Sequence, residues 1–285
     1  MHELKPAHDA DPAAAAAPAA KLGRAIVVTS GKGGVGKTTT TANLGTALAQ
    51  RGASVALVDA DVGLRNLDIV MGLESRVKHH LLDVLEERVT LDDALVRDKH
   101  SESLVLLAAA QSREKEEVDT EKMCALVERL RERCDYVLID CPAGIELGFK
   151  NAVAGAEEAI VVCTPEVSAV RDVDRVVGLL GNRFRPQLII NRLRPKLVKK
   201  GKMLSVDDVN AILQLPLLGV IADEPQIIVT TNRGEPLALH KDAPTGAAYH
   251  AIAARLCGED VPAPMPQLRE TLVERLGALF GGKRS

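Results

Sequence analysis

The 285-residue chain has no Trp, two Tyr and three Phe. Hydrophobic residues still make up 46% of it, so any sizeable core must be built from Val, Leu, Ile and Ala. Long apolar runs are also missing. No stretch approaches the roughly 20 residues needed to span a bilayer. The Ala/Pro run before Lys21 is broken by Pro18 and follows Glu3, Asp9 and Asp11, so it does not read as a signal peptide. It offers little to bury, and residues 1–22 are predicted to be a disordered N-terminal extension. The cysteines are Cys124, Cys134, Cys141, Cys163 and Cys257, with no Cys-x-x-Cys pair. That excludes the usual zinc and cluster spacings, and the odd count reads as reduced thiols in a cytosol. Cys141 and Cys163 sit in or beside apolar runs and are predicted to be packing residues. No excess of charge is present either: the net charge is −3, so nucleic acid is not expected as a partner.

Seven apolar runs are present, at residues 25–30, 54–61, 104–109, 136–142, 158–165, 187–192 and 217–222. Helical stretches separate most of them, for example at 37–51, 120–134, 169–180 and 206–213. Near-continuous apolar strands alternating with helices predict an α/β fold, a single mainly parallel twisted sheet with helices on both faces. Ligands in such sheets bind at the carboxyl ends of the strands. The polar motifs fall there, after the first, second, fourth and sixth runs.

The first run leads into Gly31-Lys32-Gly33-Gly34-Val35-Gly36-Lys37-Thr38, which fits the phosphate-loop pattern G-x-x-x-x-G-K-[ST]. Glycines let backbone N–H groups close around phosphate, and the following helix adds its positive N-terminal end. Lys37 is expected to reach the β- and γ-phosphates and Thr38 to ligate Mg²⁺, so ATP and Mg²⁺ are the predicted cofactors. Asp140 ends the YVLID run, where a carboxylate holds Mg²⁺ through water. Asp59 and Asp61 follow the second run. One could orient or accept a proton from the attacking water and the other support the metal shell, or both could belong to a solvated acidic loop.

GKGGVGKTT carries a second lysine, Lys32, inside the loop, and here the sequence resembles the deviant Walker A motif of the MinD/ParA ATPases. The resemblance implies that Lys32 crosses a homodimer interface to the partner's nucleotide, with ATP sandwiched between subunits. It further implies that Thr39 contacts phosphate, that Asp61 is the switch I catalytic aspartate, that Asp140 belongs to Walker B and switch II, and that Asn191 reads adenine. DADVGLRNLDIVMGLE (59–74), CPAGIELG (141–148), PEVSAVRDVDRVVGLL (165–180) and MLSVDDVNAIL (203–213) are similar to the branch that places the bacterial division septum. That branch implies recruitment of the septum inhibitor MinC and stimulation by MinE or another topological factor. Flagellar-number regulators and ParA-type partitioning ATPases are the alternatives within the family. The resemblance covers roughly residues 24–285. The Ala/Pro-rich extension lies outside the family core, and the segment after Asn182 is shorter than in some relatives.

The organisation predicted is an extension (1–22), an ATPase domain (23–258), a linker (259–266) and a terminal amphipathic helix (267–285). In that helix Leu268, Leu272, Val273, Leu276, Leu279 and Phe280 share one face by their spacing, with Arg275 flanking the stripe and Lys283 and Arg284 following it. The pattern alone fits a core-packed or partner-binding helix as well as a membrane-binding one. The family resemblance implies the membrane: a cytoplasmic protein held peripherally on the anionic inner face of the cell membrane in its ATP state. One short tail binds weakly, whereas two on a dimer bind far better through effective concentration.

Overall fold

The computed structural model describes residues 22–111, 118–145 and 147–267. Eight strands form one sheet: β1 (Arg24–Thr29), β2 (Val55–Asp59), β3 (Val96–Arg97), β4 (Leu104–Leu107), β5 (Tyr136–Asp140), β6 (Glu158–Cys163), β7 (Gln187–Leu193) and β8 (Leu217–Ala222). Their order is β3-β4-β2-β5-β1-β6-β7-β8. Every pairing is parallel except β3 with β4. The seven apolar runs are therefore the seven parallel strands. The eighth, β3, is a two-residue antiparallel edge too short to leave a periodic signal.

Alternate strand residues face opposite ways. Ala25, Val27, Val137, Ile139, Leu188 and Ile190 meet the helices α3 (Leu81–Leu85), α5 (Thr120–Arg131), α6 (Leu147–Ala154), α7 (Val167–Leu180) and α9 (Val206–Leu213). Ile26, Leu57, Leu138 and Ile160 meet α1 (Lys37–Ala49), α2 (Leu67–Met71) and α11 (Pro244–Leu256) on the other face. The short α4 (Leu91–Ala94), α8 (Pro195–Lys199) and α10 (Pro225–Asn232) complete the helices among the described residues. Burial on both faces explains why the strands read as unbroken apolar runs.

α1 is buried along nearly its whole length. Small residues make this possible: a Cβ on Gly45 would fall inside 3.0 Å of the Leu57 side chain in β2. Starts of other helices follow reciprocal capping. Ser205 Oγ accepts from Asp208 N at 3.0 Å while the Asp208 carboxylate accepts from Ser205 N at 2.8 Å, which fixes the first turn of α9. The segment predicted as a linker runs along the outer edge of β8, where Val220 N donates to Pro264 O at 3.1 Å. Leu268, Leu272, Val273, Leu276, Leu279 and Phe280 lie outside the described residues, as does the extension up to Lys21.

Candidate nucleotide-binding site

β1 lies between β5 and β6, so the chain turns to opposite sides of the sheet around it. Such a reversal opens a crevice at the strands' carboxyl ends. The loop from Ser30 to Gly36 occupies that end of β1 and feeds directly into α1. Gly34 (φ 76°) and Gly36 (φ 98°) take left-handed backbone conformations, which turn successive N–H groups to one side. A Cβ on Gly34 would meet nothing within 4 Å, so the loop's mouth is open on that side. On the other sides it is tightly held. A Cβ on Gly31 would collide with Asp172 of α7, and one on Gly36 would fall inside 3.0 Å of Asn191 Nδ2.

Lys37, the first residue of α1, is 7% exposed. Lys32 is exposed on the outer side of the loop, and Ser30 Oγ donates to its carbonyl at 2.7 Å. The two lysines of the motif therefore face different surroundings, one the interior and one solvent. Thr38 and Thr39 are half-buried at the helix start.

Asp59 and Asp140 end adjacent parallel strands in register with each other, and both are buried. Burial, together with the neighbouring Asp59 carboxyl, pushes Asp140 up to about 8, against the Thr38 hydroxyl and Lys37, which act in the opposite direction. Burial likewise pushes Asp59 up to about 6, against hydrogen bonds from the backbone of Leu67 and Asp61. Two buried carboxyls side by side, with a lysine and a threonine aimed at one of them, favour a bound cation.

The two carboxyls differ in what they hold. Asp59 accepts backbone N–H groups from Asp61 (3.0 Å), Asn66 (3.2 Å) and Leu67 (3.1 Å). It thus ties both ends of the 61–66 turn and the start of α2. Asp140 Oδ1 instead accepts from Thr41 Oγ1 at 3.3 Å. Thr41 escaped the motif reading, although its spacing of four from Lys37 puts it on the same helix face. Its hydroxyl also lies 3.1 Å from Lys37 O. Asp61, half-buried, sits in the turn that Asp59 organises.

Asn191, at the carboxyl end of β7, is 4% exposed. Its Nδ2 donates to Val35 O at 2.8 Å, and its Oδ1 accepts from Arg192 N at 2.9 Å. It therefore clamps β7 to the phosphate loop, a contact no sequence pattern announces. A β-bulge in β7 and the positive φ of Arg192 (58°) accompany it.

The residues fit a magnesium nucleotide. Hydroxyl and carboxylate oxygens are hard ligands, and Mg²⁺ takes only one or two protein groups beside phosphate oxygens and water. No group of three or more His, Cys, Asp or Glu among the described residues is arranged to hold a metal by itself. Mg²⁺ bound with phosphate needs no such cage.

A protein-family profile described as "AAA domain" matches residues 23–190. The septum site-determining protein MinD of Synechocystis sp. is 55% identical over 244 residues, covering 85% of this chain and 92% of the relative. The chain belongs to the MinD family. Among solved structures, the MinC:MinD cell division protein complex of Aquifex aeolicus superposes with a TM-score of 0.80 at 48% identity, covering 85% of this chain and 98% of the matched one. MinD of Pyrococcus horikoshii, complexed with Mg-ADP, superposes with a TM-score of 0.75 at 33% identity, covering 82% and 96% of the two chains. The fold is thus common to all three.

Proposed function

We propose that this chain is a Mg²⁺-dependent ATPase that governs division-septum placement by carrying the inhibitor MinC to the membrane. The observation that carries this reading is the division of labour between two lysines of one loop. Lys37 is buried beside Asp140, where it meets phosphate, and Lys32 faces outward, where a second subunit can take it up. The likeness to a MinC:MinD complex over 98% of the matched chain supports MinC as the partner.

In this reading the N–H groups of the loop and Lys37 bind the phosphates, with Thr39 as a further contact. Thr38 and Asp140 would hold Mg²⁺, the hydroxyl as a direct ligand and the carboxylate through water. Thr41 keeps the Asp140 carboxylate aimed. When bound, the ion would neutralise charge on the phosphates. Asp61 orients the attacking water, and Asp59 acts as a positioning residue by holding the 61–66 turn; Asp59 would also support the metal shell. Asn191 reads adenine from a side chain already fixed against Val35. Hydrolysis needs a homodimer, because Lys32 completes the partner's site. Dimerisation also joins two C-terminal tails, so ATP promotes binding to anionic lipid. MinE or another topological factor reverses it. Between cycles the protein is cytoplasmic.

Co-sedimentation with phosphatidylglycerol vesicles tests this. Mg-ATP should bring both the protein and added MinC into the pellet, and Mg-ADP should leave both in solution. MinC that stays in the supernatant in every nucleotide state would refute the recruitment role.

A further inference from the structure

The segment from Arg192 to Lys202 contains Arg192, Arg194, Lys196, Lys199, Lys200 and Lys202 and no acidic residue. All six cations are exposed. They stand in a chain whose net charge is −3, so the cluster runs against the overall balance. Cations favour the carboxyl end of a helix, but only within its last turn. The short α8 therefore accounts for Lys196 and Lys199 and leaves the others without a reason in the fold. The segment is built as a fixed projection. Arg194 N donates to Met203 Sδ at 3.3 Å, which closes its base, and Val198 and Met203 pack against the core. Gly201 (φ 64°) turns the chain back, and Gly201 N and Lys202 N donate to Val198 O and Leu197 O, each at 2.9 Å. Lys199, Lys200 and Lys202 are thereby gathered at one tight turn.

What lies beside this projection gives it a use. The last described residue, Gln267, lies in the lip of an open groove of about 780 Å³ at the β8 edge of the sheet, and Arg194, Lys196 and Leu197 line the same groove. Segment 261–264 is fastened to the body: Arg255 donates to Val261 O at 2.5 Å, and Val220 N donates to Pro264 O at 3.1 Å. The place where the chain leaves the body toward residues 268–285 is thus fixed next to the basic segment. Met265, in the lip, is 54% exposed. Acids are present at the rim as well, with Asp223 Oδ2 2.5 Å from Arg194 Nε and Glu224 lining the groove.

We infer that the basic segment 192–202 is a second membrane contact, on the body of the protein, which docks on anionic lipid headgroups once the tail has brought it to the bilayer. The inference rests on the reading of the tail as a membrane-binding segment, and adds a separate site with its own chemistry. Clusters of about four to eight Lys and Arg beside a membrane-binding segment suit anionic headgroups, and each cation near the surface strengthens binding by roughly fivefold. That attraction fades beyond about 8 Å at physiological salt, so the cluster's place beside the tail's root matters. Exposed Met265 favours lipid over nucleic acid, because an apolar side chain gains from a bilayer interface and nothing from a phosphate backbone. Tail and patch together hold the body at two points, where the tail alone would let it swing. Arg192 directly follows Asn191, so the patch begins where the nucleotide site ends.

Co-sedimentation of the full chain with vesicles in Mg-ATP tests the patch. Lys200→Gln combined with Lys202→Gln should weaken binding to phosphatidylglycerol-rich vesicles by roughly tenfold or more and flatten its salt dependence, with ATP turnover in solution unaltered. Lys200→Arg combined with Lys202→Arg should bind as the parent does, since the headgroups read charge. Lys199→Trp reports contact directly, as a lone tryptophan in a chain that has none. Its emission should move to shorter wavelength on these vesicles. Parent-like affinity of the neutralised variant would overturn the proposal and leave the tail reading intact, as would an emission that stays put while the protein pellets. Loss of duplex-DNA binding with vesicle binding unchanged would also overturn it, since the cluster would then serve nucleic acid. A parent that never pellets with vesicles would sink the tail reading, and this inference with it.

Discussion

Replacing Gly36 by Ala isolates the contact that joins the phosphate loop to the far strand. Two costs are expected. The first is backbone: φ at Gly36 is 98°, a left-handed conformation that costs an L-residue about 1–2 kcal/mol. The second is the side-chain clash, because the new Cβ would fall inside 3.0 Å of Asn191 Nδ2 and push that amide off Val35 O. A buried donor left without its acceptor costs about 1–3 kcal/mol. Together these predict a loss of roughly 2–5 kcal/mol, or about 3–8 °C in Tm for a chain of this size. Gly52→Ala is the control, since its φ is 90° but a Cβ there meets nothing within 4 Å. It should show the backbone cost alone. The double-mutant cycle separates the two parts: in an Asn191→Ala background, Gly36→Ala should cost no more than Gly52→Ala. Urea unfolding of the five proteins without nucleotide (the parent, Gly36→Ala, Gly52→Ala, Asn191→Ala and the Gly36→Ala/Asn191→Ala double variant) gives the numbers. If Gly36→Ala costs the same in both backgrounds, the clash with Asn191 is not what makes the glycine necessary.

Further predictions follow from the carboxyls and lysines. Asp140, raised by burial in the nucleotide-free fold, binds a proton there that the unfolded chain releases near its ordinary value of 3.8. Stability should therefore fall as pH rises toward 8, by about 2 kcal/mol between pH 6 and 8. Asp140→Asn should flatten that slope and raise the Tm at pH 8 while weakening Mg-ATP binding, and a slope unchanged by the substitution would assign the effect elsewhere. Asp59→Ala should loosen the 61–66 turn, seen as faster amide exchange at Asn66 and Leu67, and lower turnover more than nucleotide affinity. Thr41→Val keeps the shape but removes the hydroxyl between Lys37 O and Asp140, and should cost about 1 kcal/mol in unfolding experiments. Lys32→Ala should bind ATP as a monomer with near-normal affinity, and a variant that still pairs would contradict the cross-subunit role.

Much of the fold was readable because the strands are covered on both faces. Runs such as AIVVT and YVLID have no polar alternation to confuse them with exposed strands. The glycine spacing from Gly31 to Gly36 was equally plain, since few other uses demand that density of small residues before Lys-Thr. What escaped was tertiary. β3 is two residues long, and α11 (PTGAAYHAIAARL) is Ala-rich with a weak apolar face, so neither carries a strong period. Asp59 and Asp140 look alike as strand-end carboxylates, and only the fold shows that Asp59 ties the 61–66 turn while Asp140 faces Thr38, Thr41 and Lys37. The Asn191–Val35 bond spans 156 positions and could not be inferred from either end.

The proposed pairing of two copies through the γ-phosphate is tested most directly by sedimentation-velocity ultracentrifugation of the Asp61→Ala protein. Slowed hydrolysis should hold the Mg-ATP form as a dimer while the Mg-ADP form sediments as a monomer. A single monomeric boundary with both nucleotides, under conditions where ATP binding is independently measured, would contradict it.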